Sequence, residues 1–204
     1  MLNYIDMKAF YIVAGIAFVF LMIQSYKVVS SSLKTENQKY RVVRTEAQFE
    51  IRFYPSATFA KIYSTGTNYK SVANSGFRKL AGYIFGGNEQ KQSIAMTAPV
   101  RMEMSDKGST MSFVMPEKYK ETDLPKPNDS SVQIVKSSPQ YVAAITFGGY
   151  ADDEIIKERR DQLLKLIQDK GIKVVGEYTF LGYNAPFQFW SRKNEVIIPI
   201  EWKE

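Results

Sequence analysis

The chain contains no cysteine and no histidine. Without a thiol there is neither a disulfide nor a thiolate ligand. That absence is silent on compartment, because exported proteins need no disulfides. Without imidazole the chain lacks the usual general base, the commonest metal ligand and the physiological-pH switch. Ser-His-Asp and Cys-His hydrolases are excluded, as are histidine-ligated and thiolate zinc sites. Tryptophan is scarce, at two residues, but thirteen Tyr and thirteen Phe make aromatics plentiful. A length of 204 residues suits one domain, or one domain with an appendage, and allows a sizeable core without staples. The formal charge is +6, of which residues 27–44 hold a net of +4 through Lys27, Lys34, Lys39, Arg41 and Arg44 against Glu36. The remainder is close to balanced and shows no basic-aromatic strip, so no nucleic-acid partner is expected.

Only one long apolar run occurs. Ala9 to Ile23 is fifteen residues without a charge. A membrane span needs about 20 largely apolar residues, and snorkelling by Lys8 and Lys27 extends the run. The basic residues that follow are of the kind attracted to anionic lipid. The expectation is an N-terminal transmembrane helix: residues 1–29 as a single-pass membrane anchor, 30–38 as a polar linker, and 39–204 as the folded domain. A secretory signal peptide ending near Val29-Ser30-Ser31 is the competing reading. Cations flank the run on both sides, so the side of the membrane is not specified.

The stretch from Ser75 to Val100 organises the rest. Tyr69, Ala73, Phe77, Leu80, Ala81 and Ile84 recur at helical spacing, which predicts a helix over about 69–85. Gly86-Gly87-Asn88 stops it, since glycine adopts a left-handed C-cap without steric cost. Ser93 to Val100 reads as strand, with Pro99 at an edge, bulge or end. A repeat is also present. FEIRFYPSATFAKIYSTG (49–66) aligns without gaps on VQIVKSSPQYVAAITFGG (132–149). Ile51 then matches Ile134, Ala60 matches Ala143, and Ile62 matches Ile145. A second helix over about 152–170 begins at Asp152-Asp153 and stops at Gly171. Ala98-Pro99-Val100 is matched with Ala185-Pro186-Phe187, and Met111–Val114 with Val196–Ile198. Residues 116–129, with three prolines, connect the halves. The predicted class is α+β: a distorted antiparallel β-barrel of two pseudo-symmetric β-α-β-β repeats flanked by two helices.

G-F-x-K-L-x-G-Y-I-x-G-x-N (76–88) followed by I-A-M-T-A-P-V (94–100) resembles the SOUL family of haem-binding proteins. Gly182-Tyr183-Asn184-Ala185-Pro186 and Arg192 to Val196 resemble the family's C-terminal end. The resemblance covers about Lys39 to Trp202 and implies the same barrel with two long helices. It also implies that one face of the first helix lines an apolar cleft for haem or a related tetrapyrrole. On that basis Asn74, Phe77, Arg78 and Ala81 line the cleft edge. The chain departs from better-known members by placing Asn74 and Gly82 where they carry basic residues, and by offering no histidine ligand. Iron ligation falls to Tyr, Met, Lys or water, with Tyr183 first and Met96 second.

Each of these residues has a plainer role. The helical stripe suits a packing face, Arg78 and Lys79 suit a solvated surface, and Tyr183 and Met96 suit the core and its edge. The functional expectation is a carrier, buffer or scavenger of haem rather than a catalyst, with protein partners unspecified. Three rivals stand: a module for another flat apolar ligand, a haem-modifying enzyme such as an iron-removing activity, and a protein-interaction surface. The first is suggested because the repeated plan also resembles effector-binding domains of bacterial regulators.

Overall fold

The computed structural model describes residues 11–19, 22 and 35–204, except 187 and 189. The chain divides into two units, Met1–Thr35 and Glu36–Glu204. In the first, residues 11–19 are helical. No helix among the described residues is long and apolar enough to cross a membrane. The expected transmembrane helix, and membrane attachment through it, are therefore not supported. At about 1.5 Å per residue the described turns fall well short of a bilayer core. The flanks of the apolar run, including Lys8, Ile23 and Lys27, lie outside the described residues.

The second unit is built on two sheets. β1 (Glu36–Asn37) and β5 (Thr97–Ala98) form a short parallel pair. The main sheet has nine antiparallel strands. They are β2 (Arg41–Thr45), β3 (Glu50–Tyr54), β4 (Thr58–Ser64), β6 (Val100–Ser105), β7 (Gly108–Val114), β8 (Val132–Lys136), β9 (Gln140–Phe147), β10 (Thr179–Gly182) and β11 (Asn194–Pro199). Their spatial order is β2-β3-β9-β11-β10-β6-β7-β4-β8. β2 and β8 remain as edges, so the sheet curls into a half-barrel instead of closing.

The repeat is real in three dimensions. Ile51 pairs with Ala143, and its repeat mate Ile134 pairs with Ala60. The strand order from β3 to β8 reads the same under exchange of the halves, with the pseudo-twofold between β10 and β6. Each half carries two strands before its helix, giving β-β-α-β-β. One expected match does not hold. Pro99 precedes β6, whereas Pro186 follows β10, so the two Ala-Pro pairs are not equivalent. β6 starts directly after Pro99, at Val100, whereas β11 begins only at Asn194, so the two pairs are alike in letters and not in position.

Helix α1 (Tyr69–Ile84) and helix α2 (Asp153–Asp169) cover one face of the sheet. Gly76 lets α1 approach β7, because a Cβ there would sit 3.2 Å from Met111 Sδ. Val72, Leu80, Tyr83 and Ile84 of α1 and Ile156, Leu163 and Ile167 of α2 join Met102, Met111, Phe113, Phe180 and Val196 in one core. The caps follow from the sequence. Asp152 accepts from Ile155 N at 2.8 Å, and Asp153 reaches across to accept from Tyr69 N, the first residue of α1, at 2.6 Å. At the end of α1, Gly86 takes φ +104° and Gly87 N donates to Gly82 O at 2.8 Å. Buried Asn88 closes the turn by bonding Tyr83 O and both backbone groups of Gln92.

Candidate ligand-binding site

Successive residues of a strand point to opposite faces. On β3, Ile51 enters the helix-covered core while Arg52 and Tyr54 face away. On β6 the same holds for Met102 and Arg101, and on β11 for Val196 and Glu195. The helix-free face thus receives a second, smaller apolar cluster of Tyr54, Val142, Ala144, Leu181 and Ile197, with Tyr40 and Tyr183 against it.

At its centre lies Glu195, 0% exposed. Its carboxylate takes a two-point hydrogen bond from Arg52, at 2.9 and 3.1 Å. It also accepts from Tyr183 Oη at 2.7 Å and Thr146 Oγ1 at 3.0 Å, and pairs with Lys193 at 3.0 Å. Burial alone would raise the Glu195 pKa. Arg52's hydrogen bonds and charge, with Tyr183 and Lys193, outweigh it and hold the group below the usual carboxylate range. Burial pushes the Tyr183 phenol strongly upward, and the neighbouring Glu195 charge adds to the rise. Arg52 further stacks on Tyr40, 4.2 Å from its ring centroid.

The sequence-derived residues fall on both faces. Asn74, Phe77, Arg78 and Ala81 share the outer side of α1, at the helical spacing that groups them. Asn74 and Arg78 are exposed, and Ala81 is buried. Phe77 is 40% exposed and meets Phe113 edge-on at 5.3 Å. Lys79 is engaged with Ser131 and Asp129. Arg78 makes no ion pair among the described residues. Met96 packs half-buried against the helix-side core. Tyr183 lies on the opposite face of the sheet, tied to Glu195. The structure brings the four α1 residues together and separates Tyr183 from them.

Sequence reasoning missed Arg52 and Arg101 and treated Glu195 only as part of a matched segment. A signal was available: β3 and β6 each place an arginine between apolar residues, and in β11 Glu195 stands directly before the apolar run Val196-Ile197-Ile198. On the helix-free face a cavity of about 380 Å³ opens beside Tyr54, Phe59, Lys61, Arg101, Glu103 and Gln140. None of the α1 residues lines it. Among the described residues no cluster of Asp, Glu, Cys or His has the makings of a metal site.

The SOUL heme-binding protein family matches residues 35–199, nearly the whole second unit. The chain belongs to the SOUL family. Heme-binding protein 2 of Mus musculus is 32% identical over 157 residues, spanning 72% of this chain and 76% of that protein. Heme-binding protein 1 of Sus scrofa is 25% identical, over 75% of this chain and 84% of its own length. Among solved structures, the C-terminal domain of EcmrR superposes on the SOUL domain with a TM-score of 0.60 at 9% identity, over 76% of this chain and 97% of that one. A hydrolase from Listeria innocua gives 0.57 at 11% identity, over 78% and 94%. At such identities the likeness is one of fold.

Proposed function

We propose that this SOUL domain binds haem or a related tetrapyrrole against the outer side of α1, and serves as a carrier, buffer or scavenger rather than a catalyst. Family membership supports the ligand class. The observation that carries the location is Phe77, an aromatic ring left 40% exposed at the edge of a helix that buries Val72, Leu80, Tyr83 and Ile84. A flat macrocycle stacked there would cover the ring and the small side chain of Ala81. Arg78, on the same side and unpaired among the described residues, suits a propionate.

The iron is a different matter. Ligation by Tyr183 would require its phenol to ionise beside Glu195 and to leave the face it occupies. The reading therefore gives the iron no strong protein ligand and a high-spin ferric state with water or Met96 nearby.

Haem titration of the full chain, followed by its Soret absorption, tests the proposal. One-site saturation is expected. Phe77→Asp should weaken binding by about tenfold or more, because the carboxylate must be desolvated under the ligand. Tyr183→Phe should leave the spectrum unchanged. If a folded Phe77→Asp variant binds as tightly as the parent, the α1 surface is not the site.

A further inference from the structure

Arg101 is 8% exposed and has no ion pair among the described residues. A guanidinium carries five N–H donors and stays charged at any ordinary pH. Among the described residues its one side-chain hydrogen bond is Nη1 donating to Gln38 Oε1 at 2.8 Å. Gln38 is neutral and belongs to the short strap that follows β1. Arg101 otherwise stacks between aromatic rings, 5.7 Å from the Tyr54 centroid and 5.4 Å from that of Phe59. Its neighbour on the helix-free face, Arg52, is by contrast fully matched by Glu195 and Glu50. A buried charge is ordinarily paired. Arg101 is not.

The space around it explains what is missing. Arg101 lines the cavity of about 380 Å³ on the helix-free face. Lys61 and Lys136 also line it, and neither makes an ion pair among the described residues, against the single acid Glu103. Tyr54, 2% exposed, lines it too, and its hydroxyl is buried without a hydrogen-bond partner among the described residues. Burial pushes that phenol up to about 12, so it remains a donor. Thr110 and Ser112 add hydroxyls, while Phe59, Val135 and Pro139 supply apolar wall. A buried guanidinium without a carboxylate and a buried hydroxyl without an acceptor, in a cationic slot with aromatic sides, describe the complement of one chemical class.

We propose that this cavity is a second ligand site, distinct from the α1 surface, that takes a small aromatic carboxylate. The carboxylate meets the guanidinium fork of Arg101 and the hydroxyl of Tyr54, and the ring lies against Phe59 and the proline side of the slot. A planar carboxylate accepts from a guanidinium in two parallel bonds, which a spherical anion does not match as well. Gln38 holds the place of the acid when the site is empty.

Benzoate is the probe, followed on the full chain by ligand-observed proton NMR and thermal shift, with inorganic phosphate and benzylamine as comparisons. Saturable benzoate binding is expected, with phosphate weaker and benzylamine inert. Arg101→Gln should abolish it. Tyr54→Phe should weaken it by about tenfold while leaving the melting temperature unchanged or raised, since the variant removes an orphaned hydroxyl. Gln38→Glu should place an internal carboxylate on Arg101, raise the melting temperature and exclude benzoate. Phe77→Asp should change nothing at this site, which separates it from the haem reading. No saturable benzoate binding, equal binding of phosphate or benzylamine, or unaltered affinity in folded Tyr54→Phe and Gln38→Glu variants would each overturn the proposal.

Discussion

The two faces of the main sheet are made by alternate residues of the same strands, yet they are held by different physics. On the helix-covered face, Ile51, Met102 and Val196 pack against Leu80 and Leu163. Stability there comes from apolar area removed from water, which is non-directional and tolerant of shape. On the other face, Arg52, Glu195, Tyr183 and Lys193 form a network whose value depends on every partner being present. The difference teaches where this fold can carry a ligand. A dry core has no unfilled valence, whereas a polar face does wherever its charges are not closed among themselves, as at Arg101.

The comparison is broken most severely at Glu195. Glu195→Ala removes the two-point partner of buried Arg52 and leaves it only Glu50, and the expected loss is about 3–5 kcal/mol in urea unfolding. The double variant Glu195→Leu with Arg52→Met should recover much of it, since a fully apolar replacement has no orphan. Equal losses from the single and the double would show that the network is not a unit. Leu80→Ala, at a fully buried position of α1, should cost about 2–5 kcal/mol through transfer and cavity terms. It should have no recovering partner. Gly86→Val forces a β-branched residue to φ +104° and should cost about 1–3 kcal/mol. A thermal melt unchanged by it would mean the cap re-forms another way.

The smallest effect sharpens the contrast by pH. Glu195 is held below its ordinary value of 4.5, so its contribution is fully present above that pH and is lost as pH falls through the folded pKa. With no histidine in the chain, no side chain of ordinary pKa titrates between about pH 5 and 8. Melting temperature should be nearly flat across that window and fall below about 4.5, and Glu195→Gln should remove part of the fall.

Much of this was legible because it is local. The α1 stripe, the Gly86-Gly87-Asn88 stop and the Asp152 cap each depend on residues within a turn or two of one another. The repeat was legible because matched hairpins keep the same apolar spacing. What escaped depends on register. Arg52 meets Glu195 only because β3 pairs β9 and β9 pairs β11, and Arg101 joins Tyr54 only across the curl of the sheet. The family resemblance makes Tyr183 the first choice of iron ligand because its segment matches the family's end, but strand parity puts its phenol on the face away from α1. Pro186 was paired with Pro99 because a short motif carries no mark of whether a strand comes before or after it.

The pseudo-twofold arrangement has a consequence for how the chain is made. The first strand of each repeat does not stay with its own half: β3 lies against β9, and β8 lies against β4. The halves are therefore clasped, each lending a strand to the other. Pairings of such long sequence separation are slow to form, because the loop must close before any contact rewards it. On the ribosome, the edge of β3 that faces β9 has no partner until the second half has been synthesised. Until then it is an open strand edge, the kind of surface that invites pairing with another chain.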